Sequence, residues 1–156
     1  MERERIWRIS HKNYASDIFS GEGARRFGGR FNRPGSSVIY CSCTLSLALL
    51  EILVQVDDWE FLSSCVYMYA DVPKDLVFEA QLDTLPSDWD ARPVRSGSQR
   101  YGDDWLQSRT SLVLKVPSVI LPMESNYLIN PDHPAYSEII RSDVEVLPLD
   151  QRLKFG

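Results

Sequence analysis

Residues Ser37–Val56 read SVIYCSCTLSLALLEILVQV, and the way this stretch divides decides the architecture. Its first four residues, Ser37–Tyr40, are β-branched or apolar and form a short strand. From Thr44 to Val56, leucines, Ala48, Ile52 and valines occupy nearly the whole circumference of a helix, which predicts a buried one. Ser42 or Thr44 can cap its start. Glu51 is the only charged side chain in that helix. A carboxylate there lies either on the one exposed edge or at the rim of a pocket facing a cation, because burying it unpaired is costly. The sequence leaves both readings open at this point.

Working outward, Arg5–Ile9 (RIWRI) alternates polar and apolar residues and predicts a first strand. Ser64–Val72 reads as another strand. The span 82–89 is turn-rich, with LPSDW opening a helical turn, and 97–109 suggests an exposed helix weakened by Gly102. Two strand candidates flank a proline, within 111–120 and 126–131, and EVLPLD adds a last short strand. No repeat or linker divides the chain. These elements predict a single α+β domain, residues 1–156, around a mixed or antiparallel central sheet.

Between the first two strands, Gly21–Asn32, GEGARRFGGRFN, reads as a loop, a permissive backbone carrying Arg25, Arg26 and Arg30. Arg26 stands where a dinucleotide fingerprint needs its third glycine, and no Gly-Lys-Ser/Thr ending of a P-loop is present. Glycines nevertheless let backbone N–H groups approach an anion, and arginine forks suit phosphate oxygens. Arg25 and Arg26 are expected to be solvated.

The chain carries Lys+Arg 17 against Asp+Glu 22, a net charge of -5, which disfavours direct nucleic-acid binding. Cys41, Cys43 and Cys65 are an odd set without metal-ligand spacing, so no metal is expected and they read as thiols of a cytoplasmic protein. The charged start MERERIWRIS is no signal peptide, and no apolar run is long enough to span a membrane. Neither His11 nor His133 has a spacing to serine or cysteine that supports a nucleophilic triad. His133 reads as a turn residue, Trp7, Trp59, Trp89 and Trp105 as packing residues. Tyr40 by itself suggests core, and Ser118 a hydroxyl bonded to local backbone.

Taken together, GEGARRFGGRFN, SVIYCSCTLSLALLEILVQV, LPSDW, Gly102 with Trp105, and LVLKVPSVILPMESNYLINPDHP follow one another as in the RES-domain family, which the chain resembles over nearly its whole length. VPS followed by ExNYLINPxHP is the specific part. Phe31 stands where the family commonly has tryptophan. The resemblance implies an ADP-ribosyltransferase-like fold and a toxin that consumes NAD+ as substrate rather than as resident cofactor, by hydrolysis or phosphorolysis of the nicotinamide–ribose bond. It implies a helix-turn-helix antitoxin of the Xre-like type as partner, with a homodimer open. By motif position, Arg30, Tyr40 and Glu51 carry the chemistry, while Ser118, Asn126 and Gly29 contact substrate. Arg8 lies where related folds also place a polar residue and is given no role. Protein mono-ADP-ribosylation and a non-enzymatic antitoxin-binding module are the alternatives.

Overall fold

The longest strand, β1 (Arg3–His11), pairs along its whole length with β3 (Cys65–Pro73), antiparallel, and this pair is the spine of the sheet. The computed structural model describes residues 1–154, so the last two residues of the expected domain lie outside the described residues. Eight strands run in the order β4-β5-β6-β2-β1-β3-β7, with β8 also on β3. They are β2 (Ile39–Ser42), β4 (Val77–Glu79), β5 (Val113–Pro117), β6 (Ser125–Ile129), β7 (Ile140–Arg141) and β8 (Glu145–Val146). Only β4 with β5 is parallel, so the sheet is mixed, as expected.

Side chains alternate between the faces of a strand, and paired residues share a face. Tyr40 pairs with Leu128, Ser42 with Asn126, and Val116 with Asn126, which gathers Tyr40, Ser42, Asn126, Leu128 and Val116 on one face. The opposite face buries Ile6, Ile39, Cys41, Val113 and Ile129. Trp7 pairs with Ser42, the one position at which β1 meets β2. Arg8 spans the break beyond it, donating from Nε to the Ile18 carbonyl at 2.6 Å and from Nη1 to the Tyr40 carbonyl at 2.8 Å.

Among the described residues four α-helices complete the domain, α1 (Glu22–Phe27) and α3 (Trp59–Ser63) short, α2 (Leu45–Leu53) and α4 (Ser96–Ser108) longer. α1 corrects the expectation that the whole glycine-rich stretch is a loop. Glu22 pairs with Arg25 and Arg26 one turn on, which supports a helix until Gly28, at φ 74°, ends it.

Thr44 caps α2, its hydroxyl accepting from the Leu47 N–H at 3.0 Å. The helix is not buried all round, as its composition suggested. Only Leu47 and Ala48 are buried, against β1 and β2, while Val54, just after its end, is 64% exposed. A single helix over one side of a sheet covers one stripe, and the apolar residues left over form the wall of a cleft. The exposed helix expected over 97–109 also needs correction: α4 buries Ser98, Gly102, Asp103, Trp105 and Leu106. Gly102 lets it lie against the backbone at Phe31, where a Cβ would sit 1.8 Å from the carbonyl oxygen.

Candidate functional site

A cleft of about 840 Å³ opens on the face that carries Tyr40, Ser42 and Asn126. It is lined by β2 and β6, by α2, and by the Gly28–Phe31 turn. Among the residues expected at a site, Arg8, Gly29, Arg30, Tyr40, Glu51 and Asn126 line it, and Ser118 stands directly behind.

Glu51, one turn from the end of α2, is half-buried and receives two hydrogen bonds on the same oxygen. Ser118 Oγ donates to Oε1 at 2.8 Å, and Asn126 Nδ2 donates to it at 2.7 Å. Both donors are themselves fixed. The Ser118 hydroxyl accepts from the Ile120 and Leu121 N–H groups at 3.1 and 3.3 Å. Its acceptor capacity is thereby filled, so its one proton points to Glu51. Asn126 Oδ1 accepts from Ser42 Oγ at 2.7 Å, which orients the amide with its nitrogen toward the glutamate. Oε2 of Glu51 has no protein partner among the described residues. The result is a carboxylate locked by one oxygen and free at the other. Ser118 is fully buried and outside the lining, so it holds Glu51 and does not face the cleft. The local-backbone bonds expected of this hydroxyl are present as well.

The opposite wall is the turn from Gly28 to Arg33. Tyr40 reaches under it, accepting from the Phe31 N–H at 3.0 Å and donating to Asn32 Oδ1 at 2.6 Å. Burial pushes the Tyr40 hydroxyl well above its ordinary range, keeping it protonated as that bond requires. Asn32, fully buried, donates to the carbonyls of Ala24, Arg33 and Ser36. A Cβ on Gly29 would lie 2.8 Å from the Tyr40 hydroxyl oxygen, so this position admits no side chain. From behind, α4 secures the turn: Ser98 Oγ donates to the Arg30 carbonyl, Gln99 to the Gly29 carbonyl, and Arg33 pairs with buried Asp103 at 2.8 Å.

Arg30 makes no hydrogen bond to Glu51. Its Nη1 donates to the carbonyls of Trp89 and Ala91, both at 2.9 Å. Burial lowers its pKa, the field of Glu51 raises it, and the field of Arg92 lowers it again. The two residues thus share the cleft electrostatically, while the orientation of Glu51 comes from Ser118 and Asn126. Arg8 is likewise depressed by burial and is among the residues lining the cleft. Arg30 on the turn wall, with Arg8 at the β1–β2 break, and a half-tied carboxylate on α2 suit an anionic ligand in which positive charge develops at one atom. Among the described residues, no three His, Cys, Asp or Glu side chains gather as a metal site.

Several contributors were not expected. Trp7 lines the cleft as well as packing. Ser42, a candidate helix cap by sequence, alternates with Tyr40, which places both on the cleft face. Asn32, Ser98 and Asp103 carried no signal, because each acts on residues far along the chain or on backbone atoms.

This mixed sheet, with its glycine–arginine turn, strand tyrosine and helix glutamate, is the structure behind the resemblance to the RES-domain family. The chain belongs to that family: the RES domain pattern matches residues 5–150. It is 34% identical over 153 residues to Toxin Res of Yersinia enterocolitica, covering 96% of this chain and 99% of that one. It is 38% identical over 134 residues to the Prs ADP-ribosylating toxin of Sphingobium sp., covering 83% of each. The fold is shared with the crystal structure of the M. tuberculosis MbcT-MbcA toxin-antitoxin complex, at a TM-score of 0.75 and 20% identity, over 98% of this chain and 90% of that chain.

Proposed function

We propose that this chain is the toxin of a toxin–antitoxin pair and cleaves the nicotinamide–ribose bond of NAD+ in the cleft. The observation that carries this reading is the Glu51 carboxylate, fixed through Oε1 and free at Oε2, in a cleft whose lining also includes Arg8 and Arg30. Departure of nicotinamide leaves positive charge on the ribose, as in glycoside cleavage. A pre-oriented carboxylate stabilises that charge without reorganising. The arginines hold the diphosphate, and Tyr40, with its hydroxyl engaged under the turn, shapes the pocket through its ring. In hydrolysis, water oxygen bonds to the anomeric carbon, nicotinamide leaves neutral, and one proton is released; phosphate as acceptor gives the ribose 1-phosphate instead. Toxin Res of Yersinia enterocolitica supports the toxin role. A helix-turn-helix antitoxin and a cytoplasmic site of action belong to the same reading.

A second reading is favoured by the Sphingobium relative, whose name is that of an ADP-ribosylating toxin. The same cleft then passes ADP-ribose to a protein side chain instead of to water or phosphate.

Purified antitoxin-free protein is expected to release nicotinamide from NAD+, and Glu51→Gln to lower kcat at least about a hundredfold, with an unchanged circular dichroism spectrum. Normal turnover by that variant overturns the assignment. Labelled NAD+ separates the two readings: label recovered as free ADP-ribose or its phosphate supports degradation, and label on protein supports transfer.

A further inference from the structure

The residues lining the cleft differ sharply in exposure. Arg8, Arg30, Tyr40, Glu51 and Asn126 are half-buried, whereas Phe27, Arg92, Pro93 and Val94 are exposed and form the mouth. Phe27, the last residue of α1, is 81% exposed and belongs to none of the hydrophobic clusters. A phenylalanine on a loop tip needs no explanation, but one that lines a cleft presents an open aromatic face to whatever enters.

Arg92 is equally without a partner. Arg5, Arg25, Arg26, Arg33 and Arg152 each pair with a carboxylate, but Arg92 has neither a hydrogen bond nor an ion pair among the described residues. Its position is nevertheless defined. Arg30 binds the carbonyls of Trp89 and Ala91, which holds the next residue, Arg92, beside it. Phe27 lies three residues before Arg30, and Gly28 directs the chain between them. Arg30 is therefore the link between the Glu51 end of the cleft and its mouth, sensing both Glu51 and Arg92. The volume, about 840 Å³, is that of a pocket for a large ligand and well above what a nicotinamide–ribose unit fills.

We propose that Phe27 and Arg92 form a second subsite that takes the adenylate half of the dinucleotide, Phe27 against the adenine face and Arg92 on the adjoining phosphate. The subsite makes the enzyme prefer NAD+ to nicotinamide mononucleotide. The assignment rests on NAD+ being the substrate.

Steady-state cleavage of both substrates tests it, with the mononucleotide, which lacks the adenylate, as the internal comparison. Loss of one base–aromatic stack corresponds to roughly a five- to hundredfold change. Phe27→Ala is expected to raise KM for NAD+ within that range, with kcat retained and kcat/KM for the mononucleotide moved less than about twofold. Arg92→Ala is expected to act in the same direction, and Phe27→Trp to restore the wild-type KM. Equal losses on both substrates, or an unchanged KM for NAD+, overturn the subsite. Calorimetric titration with ADP separates this assignment from the proposed reaction. If wild-type protein binds ADP, and Phe27→Ala weakens that binding, the subsite stands even where no nicotinamide is released. If NAD+ is cleaved and neither substitution changes ADP binding, the subsite falls and the reaction stands. Absence of ADP binding to wild-type protein also overturns it.

Discussion

On the glutamate side of the cleft the polar ties run between residues of the site itself; on the glycine-turn side they run away from it. Ser42, Asn126, Glu51 and Ser118 form one short chain of side-chain hydrogen bonds across β2, β6, α2 and the end of β5. The Gly28–Arg33 turn is instead held by its backbone, through Asn32 and Tyr40 beneath and α4 behind. The first arrangement sets the direction of one carboxylate. The second sets where a whole wall stands. Damage to the first is expected in kcat, and damage to the second in stability and KM.

The largest effect on the turn wall is expected at Gly102. A Cβ there would stand 1.8 Å from the Phe31 carbonyl oxygen and 2.6 Å from its carbon, both backbone atoms with no rotamer to relieve the contact. Gly102→Ala must push α4 from the turn, at a cost of about 3 kcal/mol or more. For a domain of this size that lowers Tm by roughly 10 °C. A thermal melt within about 2 °C of wild type would show that the turn does not depend on this approach.

Tyr40→Phe is the milder break of the same wall. It leaves the Phe31 N–H without its acceptor and buried Asn32 Oδ1 without its donor, while the ring stays in place. Unpaired buried polar groups cost about 1–3 kcal/mol. Tm is expected to fall by about 5 °C, and KM for NAD+ to rise more than kcat falls, since the wall moves and Glu51 does not. A fall in kcat at constant KM would instead make the Tyr40 hydroxyl part of the chemistry.

The two walls also differ in how far the sequence disclosed them. β1, β2, β3, β5, β6 and both long helices follow from periodicity, because alternation and helical spacing are local properties. The two-residue β7 and three-residue β4 are too short to show a period and form by pairing with a neighbour already in place. Glu51 stood out because one charge in an apolar helix is visible at sight. Its partners Ser118 and Asn126 become site residues only through the family resemblance, since hydrogen bonds spanning 67 and 75 residues leave no spacing rule. α2 is less buried than its composition predicts, because composition reports how apolar a helix is, and not how many neighbours cover it. α4 shows the reverse: its polar surface hid Ser98, Gly102 and Asp103, whose partners are backbone or charged groups of the turn.

The smallest effect, and the sharpest separation of the two walls, is expected at Ser42. It is 4% exposed, and among the described residues its side chain makes one hydrogen bond, the proton it gives to Asn126 Oδ1, and none to Glu51 or the turn. Without that donor, the Asn126 amide is held at this end only by its bond to Glu51, and the pair is free to shift together. Ser42→Ala removes one hydrogen bond of about 1 kcal/mol, so the fold should tolerate it. If amide orientation is what fixes Glu51, kcat drops by roughly tenfold, equivalent to about 1.4 kcal/mol of transition-state stabilisation, while KM and the melt stay near wild type. A matching rise in KM would show that the glutamate wall and the turn wall move as one body, and the division drawn between them would not hold.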